Sequence, residues 1–280
     1  MPVDAAARLT ASGAARYFCG VTTIIACGQF APVPGDAAAN LATMHGQARD
    51  AAGRGASLIV FPELALSGYL RGGELRVLAV RPSGSEVAAL ARSARELAIR
   101  IAFGFAELGA DGRLHNSMGF VEPDGGLRSI YRKVHLFGSE GGWAAAGEGF
   151  ECFDTGGIRV GMWICYDTRF PEAARALALS GATLCLAGSA WFGPLDEWEL
   201  ALRARAMDNG IFAAGAALQG TALDQPLRGG SAIVDPHGRV LALAGEGTAE
   251  VVTACYDDEA VDSFRARLPL LQHRRPDAYA

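Results

Sequence analysis

Ser57-Leu58-Ile59-Val60-Phe61-Pro62-Glu63 is a short apolar run that ends in a proline and a carboxylate. With no polar residue at alternate positions, Ser57 to Phe61 reads as a strand buried on both faces. Upstream, Asp36 to Ala52 carries Leu41, Met44, Ala48 and Ala52 at helical spacing, with Asp36 as N-cap and Gly53 closing the helix. Before that, Val21 to Cys27 is an apolar, β-rich run. The building unit is strand, helix, strand.

The alternation continues downstream. A helix over Ser85 to Ile99 precedes a strand over Ile101 to Phe105, and Pro123-Asp124-Gly125-Gly126 signals a tight hairpin turn. Arg159 to Cys165 is strand-like, Pro171 to Leu179 helical with proline at the tolerated first position, and Thr183 to Ala187 a strand. Asp196 to Asp208 is helical before Asn209-Gly210, and Ile211 to Ala217 is another strand. Ser231 to Val234 and Arg239 to Leu243 flank a second hairpin at Asp235-Pro236-His237-Gly238. Glu250 to Cys255 supplies a last strand before a polar tail. Hairpins among strand-helix-strand units predict an α/β protein with partly antiparallel sheets and helices outside. Residues 1–20 read as an N-terminal lead-in and 21–280 as one domain. Gly28-Gln29-Phe30, followed by Pro32 and Pro34, is not a dinucleotide-binding turn.

Half of the 280 residues are hydrophobic, enough for a sizeable core, and the formal net charge is −5. Without a basic excess, nucleic acid is not an expected partner and a small molecule is. Asp4, Arg8 and Arg16 interrupt the Ala-rich start, so neither a signal peptide nor a membrane anchor is expected. Cys19, Cys27, Cys152, Cys165, Cys185 and Cys255 lie far apart, without the spacing of a zinc site or a disulfide scaffold. Reduced thiols in a cytoplasm are the expectation, with no metal and no cofactor.

Three reactive side chains sit at or just beyond strand ends, where open α/β sheets place their ligands: Glu63, Lys133 and Cys165. Singly, each has a plainer reading: Cys165 as a buried structural thiol, Glu63 as a turn cap, Lys133 as a surface charge. Together they supply a nucleophile, a base and a positive charge for an oxyanion. Of the five histidines only His115 and His135 are near the proposed site, and a Cys-His arrangement with His135 is the alternative.

The segments carrying these residues are Phe61-Pro62-Glu63-Leu64-Ala65-Leu66-Ser67-Gly68-Tyr69, Tyr131-Arg132-Lys133-Val134-His135-Leu136-Phe137-Gly138, and Gly161-Met162-Trp163-Ile164-Cys165-Tyr166-Asp167-Thr168-Arg169-Phe170-Pro171-Glu172. In that order they resemble the three signature segments of the nitrilase superfamily, and the likeness extends over nearly the whole chain from Thr22. The resemblance implies a four-layer αββα sandwich, with Glu63 as general base, Lys133 as electrostatic stabiliser and Cys165 as nucleophile. It implies a further glutamate after the lysine, matched to Glu140 with Glu148 and Glu151 as alternatives. Ala217 departs from the pattern, standing where relatives commonly have Asn. A chain of this length with Cys165-Tyr166-Asp167 resembles the amidase branches, so the expected reaction is cleavage of a small, aliphatic amide through a thioester. True nitrile hydrolysis, N-carbamoyl-amide hydrolysis and a catalytically silent scaffold are the competing readings. Tyr166 would offer its backbone N–H to the oxyanion, and Tyr69, Trp143 and Trp191 are candidate pocket residues. The resemblance also implies a homodimer, packed through the helix at Pro171 to Leu179 and the tail.

Overall fold

The computed structural model describes residues 23–279. The lead-in and the first two residues of the strand expected from Val21 lie outside them. The first half runs β1 (Thr23–Gln29), α1 (Ala37–Gly53), β2 (Ala56–Val60), α2 (Gly72–Leu78), α3 (Ser85–Leu97), β3 (Arg100–Leu108), β4 (Leu114–Val121) and β5 (Leu127–Arg132). The second runs β6 (Cys152–Thr155), β7 (Ile158–Ile164), α4 (Pro171–Leu179), β8 (Leu184–Ser189), α5 (Leu195–Asn209) and β9 (Phe212–Ala217). It ends with β10 (Gln219–Ala222), β11 (Gln225–Arg228), β12 (Ala232–Val234), β13 (Val240–Leu243), β14 (Glu250–Tyr256) and α6 (Asp258–Arg267).

Two six-stranded sheets form, in the orders β14-β1-β2-β3-β4-β5 and β13-β12-β9-β8-β7-β6. Each has a parallel centre, β1-β2-β3 and β7-β8-β9, with antiparallel strands at its margins. The uninterrupted apolar runs follow from burial on both faces. Ile25, Cys27, Leu58, Val60 and Ala102 point into the core shared with the second sheet. Their neighbours Ala26, Ile59, Ile101 and Phe103 point outward against Met44 and Ala48 of α1 and Val87, Leu90 and Ala94 of α3. On the second sheet α4 and α5 take the outer face, with Leu177, Trp198 and Leu202 in the core. The expected αββα sandwich is the fold.

The structure adds elements where the pattern was weak. The segment read as a polar tail begins with α6, capped by Asp257 and buried only through Val261 and Phe264, too few anchors for a periodic signal. The seven-residue α2 begins with two glycines, and β10-β11 turns at Leu223-Asp224 rather than at a glycine pair. Expected strand limits also shift: β1 runs on to Gln29, and β7 stops at Ile164, leaving Cys165 beyond it.

Both sheets press on the backbone that carries Glu63. A Cβ on Gly104 of β3 would lie 2.4 Å from the Pro62 carbonyl oxygen and 2.5 Å from the Leu64 nitrogen; one on Gly188 of β8 would lie 2.9 Å from the Glu63 nitrogen. Glycine is required because backbone, not a flexible side chain, occupies the space. Gly104→Ala is therefore expected to cost roughly 1–3 kcal/mol, as overpacking does. Chemical denaturation checks this, and an unchanged midpoint at the same slope would show that the loop can retreat.

Candidate active site

Glu63 lies just beyond β2, Lys133 follows the last residue of β5, and Cys165 follows the last residue of β7. The chain turns at each point, so side chains from both sheets converge where the strands end. All are withdrawn from water, Glu63 and Lys133 at 0% exposure and Cys165 at 6%.

The Lys133 ammonium donates to Glu63 Oε1 at 2.7 Å and lies 2.8 Å from Glu140 Oε2. Asn116 Nδ2 donates to the same two carboxylates, at 2.7 Å to Glu63 and 3.0 Å to Glu140. The second oxygen of Glu63 accepts the Ala190 N–H at 2.8 Å. Glu140 also accepts the Tyr69 hydroxyl at 3.0 Å and the Phe137 N–H at 2.8 Å. Glu140 is thus the glutamate the structure brings to the cluster, whereas Glu148 and Glu151 are exposed.

Two carboxylates face one ammonium, and burial amplifies the imbalance. Burial pushes the Glu63 carboxyl above its ordinary value, Glu140 adds to the rise, and Lys133 opposes it. Burial works against the Lys133 charge, but Glu63 and the other negative groups around it outweigh that and hold the ammonium charged. The Cys165 thiol is pushed up by burial and then by the Glu63 charge, with Lys133 pulling the other way. In the resting protein the proton therefore stays on sulfur.

Cys165 has φ +46°, a left-handed conformation that costs a non-glycine residue about 1–3 kcal/mol. Asp167 holds the turn: its carboxylate accepts from the Ile164 N–H at 3.0 Å, the His135 N–H at 2.9 Å and the Tyr131 hydroxyl at 2.6 Å. His135 Nδ1 lies 2.8 Å from the same carboxylate, and its ring stacks on Phe170 with centroids 3.7 Å apart. The thiol itself lies 3.6 Å from the Ala190 carbonyl oxygen. His115 turns Nδ1 to the Ala145 carbonyl. The structure thus directs the Nδ1 atoms of both histidines to Asp167 and the Ala145 carbonyl, and brings Glu63 and Lys133 together.

The pocket candidates fall in different places. Tyr69 touches the cluster through Glu140. Tyr166 is half-buried, its ring edge-on to Phe137 and Phe170. Trp191 follows Ala190; its buried indole N–H has no hydrogen-bond partner among the described residues, and the Arg169 guanidinium lies 4.7 Å from its ring. Trp143 packs against Gly72 at the start of α2. Ala217 is buried, its N–H bonded to the Ser231 hydroxyl at 2.9 Å. Sequence reasoning missed Asn116, although a His115-Asn116-Ser117 polar triplet inside an apolar strand is a signal. It also missed Ala190, whose contribution is backbone and leaves no trace in residue type. Among the described residues, no three His, Cys, Asp or Glu side chains converge as a metal site, and no helix is long and apolar enough to cross a membrane.

A family model described as carbon-nitrogen hydrolase matches residues 24–266. The chain belongs to the carbon-nitrogen hydrolase family. This hydrolase is 37% identical to an (R)-stereoselective amidase of Pseudomonas sp., over 78% of this chain and 79% of the relative. It is 33% identical to the omega-amidase of Homo sapiens, over 83% of this chain and 88% of that one. Among solved structures, the amidase from Nesterenkonia sp. AN1, as a double mutant in complex with acrylamide, superposes with a TM-score of 0.82 at 26% identity, covering 92% of this chain and 96% of that one.

Because Lys133 is the cation paired with two buried carboxylates, its loss should be costly to this hydrolase. Lys133→Met is expected to lower stability by roughly 3–5 kcal/mol near neutral pH, the range for a buried ion pair that loses one partner. Urea unfolding reads the loss, and wild-type stability in the variant would mean that the carboxylates are not both charged.

Proposed function

We propose that this hydrolase converts a small aliphatic amide to a carboxylic acid and ammonia through a thioester on Cys165. The observation that carries the reading is the buried contact between Glu63 and Lys133 beside the thiol. Glu63 takes the thiol proton as sulfur attacks the carbonyl carbon, because no standing thiolate is available. The resulting oxyanion is met by the Lys133 ammonium and the Tyr166 backbone N–H. As the intermediate collapses, Glu63 gives the proton to the leaving nitrogen, and the C–N bond breaks with release of ammonia. Glu63 then draws a proton from water, which attacks the thioester; the acid departs and sulfur recovers its proton. Relatives that are themselves named amidases support the amide assignment.

Charge in this scheme develops on oxygen. A nitrile would place it on nitrogen, and the thioimidate formed would need protonation and hydration before ammonia could leave. Propionamide is therefore expected to exceed propionitrile by at least roughly a hundredfold in kcat/KM, and Cys165→Ala to abolish ammonia release from both. Equal or better turnover of the nitrile would transfer the protein to the nitrilase reading; near-normal turnover without Cys165 would refute the mechanism.

The raised Glu63 carboxyl predicts the acid side of the pH profile. Activity needs Glu63 ionised, so kcat/KM should fall as pH drops through a value above the ordinary carboxyl value of 4.5. Removing the neighbouring negative charge in Glu140→Gln lowers the Glu63 value, so that limb should move to lower pH, whatever happens to the plateau. A limb that stays in place would show that Glu140 does not act on Glu63 electrostatically.

A further inference from the structure

Ser189 is fully buried at the last position of β8, and its hydroxyl has no hydrogen-bond partner among the described residues. We propose that this hydroxyl is a further catalytic donor, which bonds to the Cys165 sulfur whenever that sulfur carries negative charge. The proposal rests on the reading of Cys165 as nucleophile and adds a residue to the same site.

The register of the second sheet brings the two side chains together. β7 and β8 run parallel with Ile164 opposite Gly188, so Cys165 and Ser189 follow at the same level where the strands end. Backbone contacts on every side hold Ser189 there. It pairs with Ala217 of β9, its carbonyl accepts the Leu218 N–H at 2.9 Å, and the next residue, Ala190, gives its N–H to Glu63 at 2.8 Å. The Ala190 carbonyl lies 3.6 Å from the thiol sulfur and is the acceptor for its proton. Burial works most strongly against the Cys165 thiolate and the Glu63 charge next, whereas Lys133 favours it and so does the Ser189 hydroxyl.

A hydroxyl left unpaired in a dry interior is a cost that alanine would avoid. Alanine is what the surrounding strand ends use: Ala187, Ala190, Ala216 and Ala217 are all fully buried. The hydroxyl lacks a partner because a neutral thiol, its proton turned to Ala190, is a weak acceptor. Sulfur becomes a strong acceptor twice in the reaction. Its proton passes to Glu63 as it attacks the carbonyl carbon, and later the C–S bond breaks with the electron pair leaving on sulfur. In each step Ser189 keeps its own proton and donates a hydrogen bond to sulfur. A donor that is idle in the resting protein and engaged only in those steps lowers the barrier without tightening substrate binding.

The test reads the sulfur directly. Iodoacetamide alkylates a thiolate, forming a C–S bond as iodide leaves, and peptide mass spectrometry follows Cys165 and the exposed Cys255 in the same sample. At one mildly alkaline pH, Ser189→Ala should slow Cys165 by roughly tenfold or more, as expected for losing a hydrogen bond to a charged group, and leave Cys255 unchanged. The urea midpoint of this variant should stay level or rise, whereas loss of a structural hydrogen bond would lower it. Thr and Val differ by a hydroxyl for a methyl, so Ser189→Thr should keep the fast rate and Ser189→Val should lose it. Turnover of propionamide should fall with the rate, in kcat at nearly constant KM. Equal Cys165 rates in the native protein and Ser189→Ala would overturn the proposal, as would equally slow Thr and Val variants. If those two do not fold, the rate and midpoint of Ser189→Ala decide. Slower turnover in Ser189→Ala with unchanged alkylation would put the hydroxyl on the oxyanion and also overturn it. Slowed alkylation in the variant, with no amide turned over by the native protein, would uphold the donor and sink the amidase reading.

Discussion

An ammonium with no access to water is the constraint on which the rest of the site depends. Lys133 is fully buried, and the effective penalty for such a charge is several kcal/mol unless partners of opposite sign are held against it. One partner is distant in the chain and one is local: Glu63 lies 70 residues away, beyond β2, and Glu140 only 7 residues on, in the segment after β5. The lysine can be where it is only when β2, β3, β4 and β5 are in register, and when Gly104 and Gly188 let both sheets close on the Glu63 backbone. The closed sandwich and the charged cluster therefore depend on each other.

The Cys165 turn draws on the same assembly through a second carboxylate. A left-handed non-glycine residue persists only where its surroundings over-determine it. Asp167 provides this by accepting from Ile164 on one side and from Tyr131 and His135 on the other, so the Cys165 turn and the lysine segment are stitched together. In holding that carboxylate, His135 becomes part of the scaffold. Burial raises the Tyr131 hydroxyl, with the Asp167 charge adding to the rise, so tyrosine remains a donor in this contact.

What the sequence revealed follows from what it encodes by residue type. Strands buried on both faces write themselves as unbroken apolar runs, and reactive residues at their ends stand out against that background. Glu63, Lys133 and Cys165 were legible for this reason, as were α4, with its leading proline, and α1, with its Asp36 cap. Contributions made by backbone were not legible: the Ala190 N–H on Glu63 belongs to an alanine like many others. Elements stabilised by few apolar anchors, such as α6, or by an exposed hairpin without glycine, such as β10-β11, carry too little periodic signal. Among the glutamates after Lys133, spacing alone did not choose. Burial chose Glu140, because only a group inside the cluster can offset the ammonium.

Burial has opposite consequences for the two halves of the proton transfer, and their balance explains why the site keeps a neutral thiol. Desolvation raises both the Glu63 carboxyl and the Cys165 thiol, and each is raised further by negative charge nearby. Since the two move in the same direction, the energy needed to pass a proton from sulfur to carboxylate is set by their difference rather than by either rise alone. Lys133 acts on both members, stabilising whichever anion is present, so it does not by itself draw the proton off sulfur. Its effect becomes selective only when substrate is bound. In the proposed reaction negative charge would then move from Glu63 through sulfur to the carbonyl oxygen without leaving the reach of the ammonium, and the fixed positive charge would need no reorganisation to follow it. A solvated lysine would give that advantage up to water, which is the physical reason for burying this one.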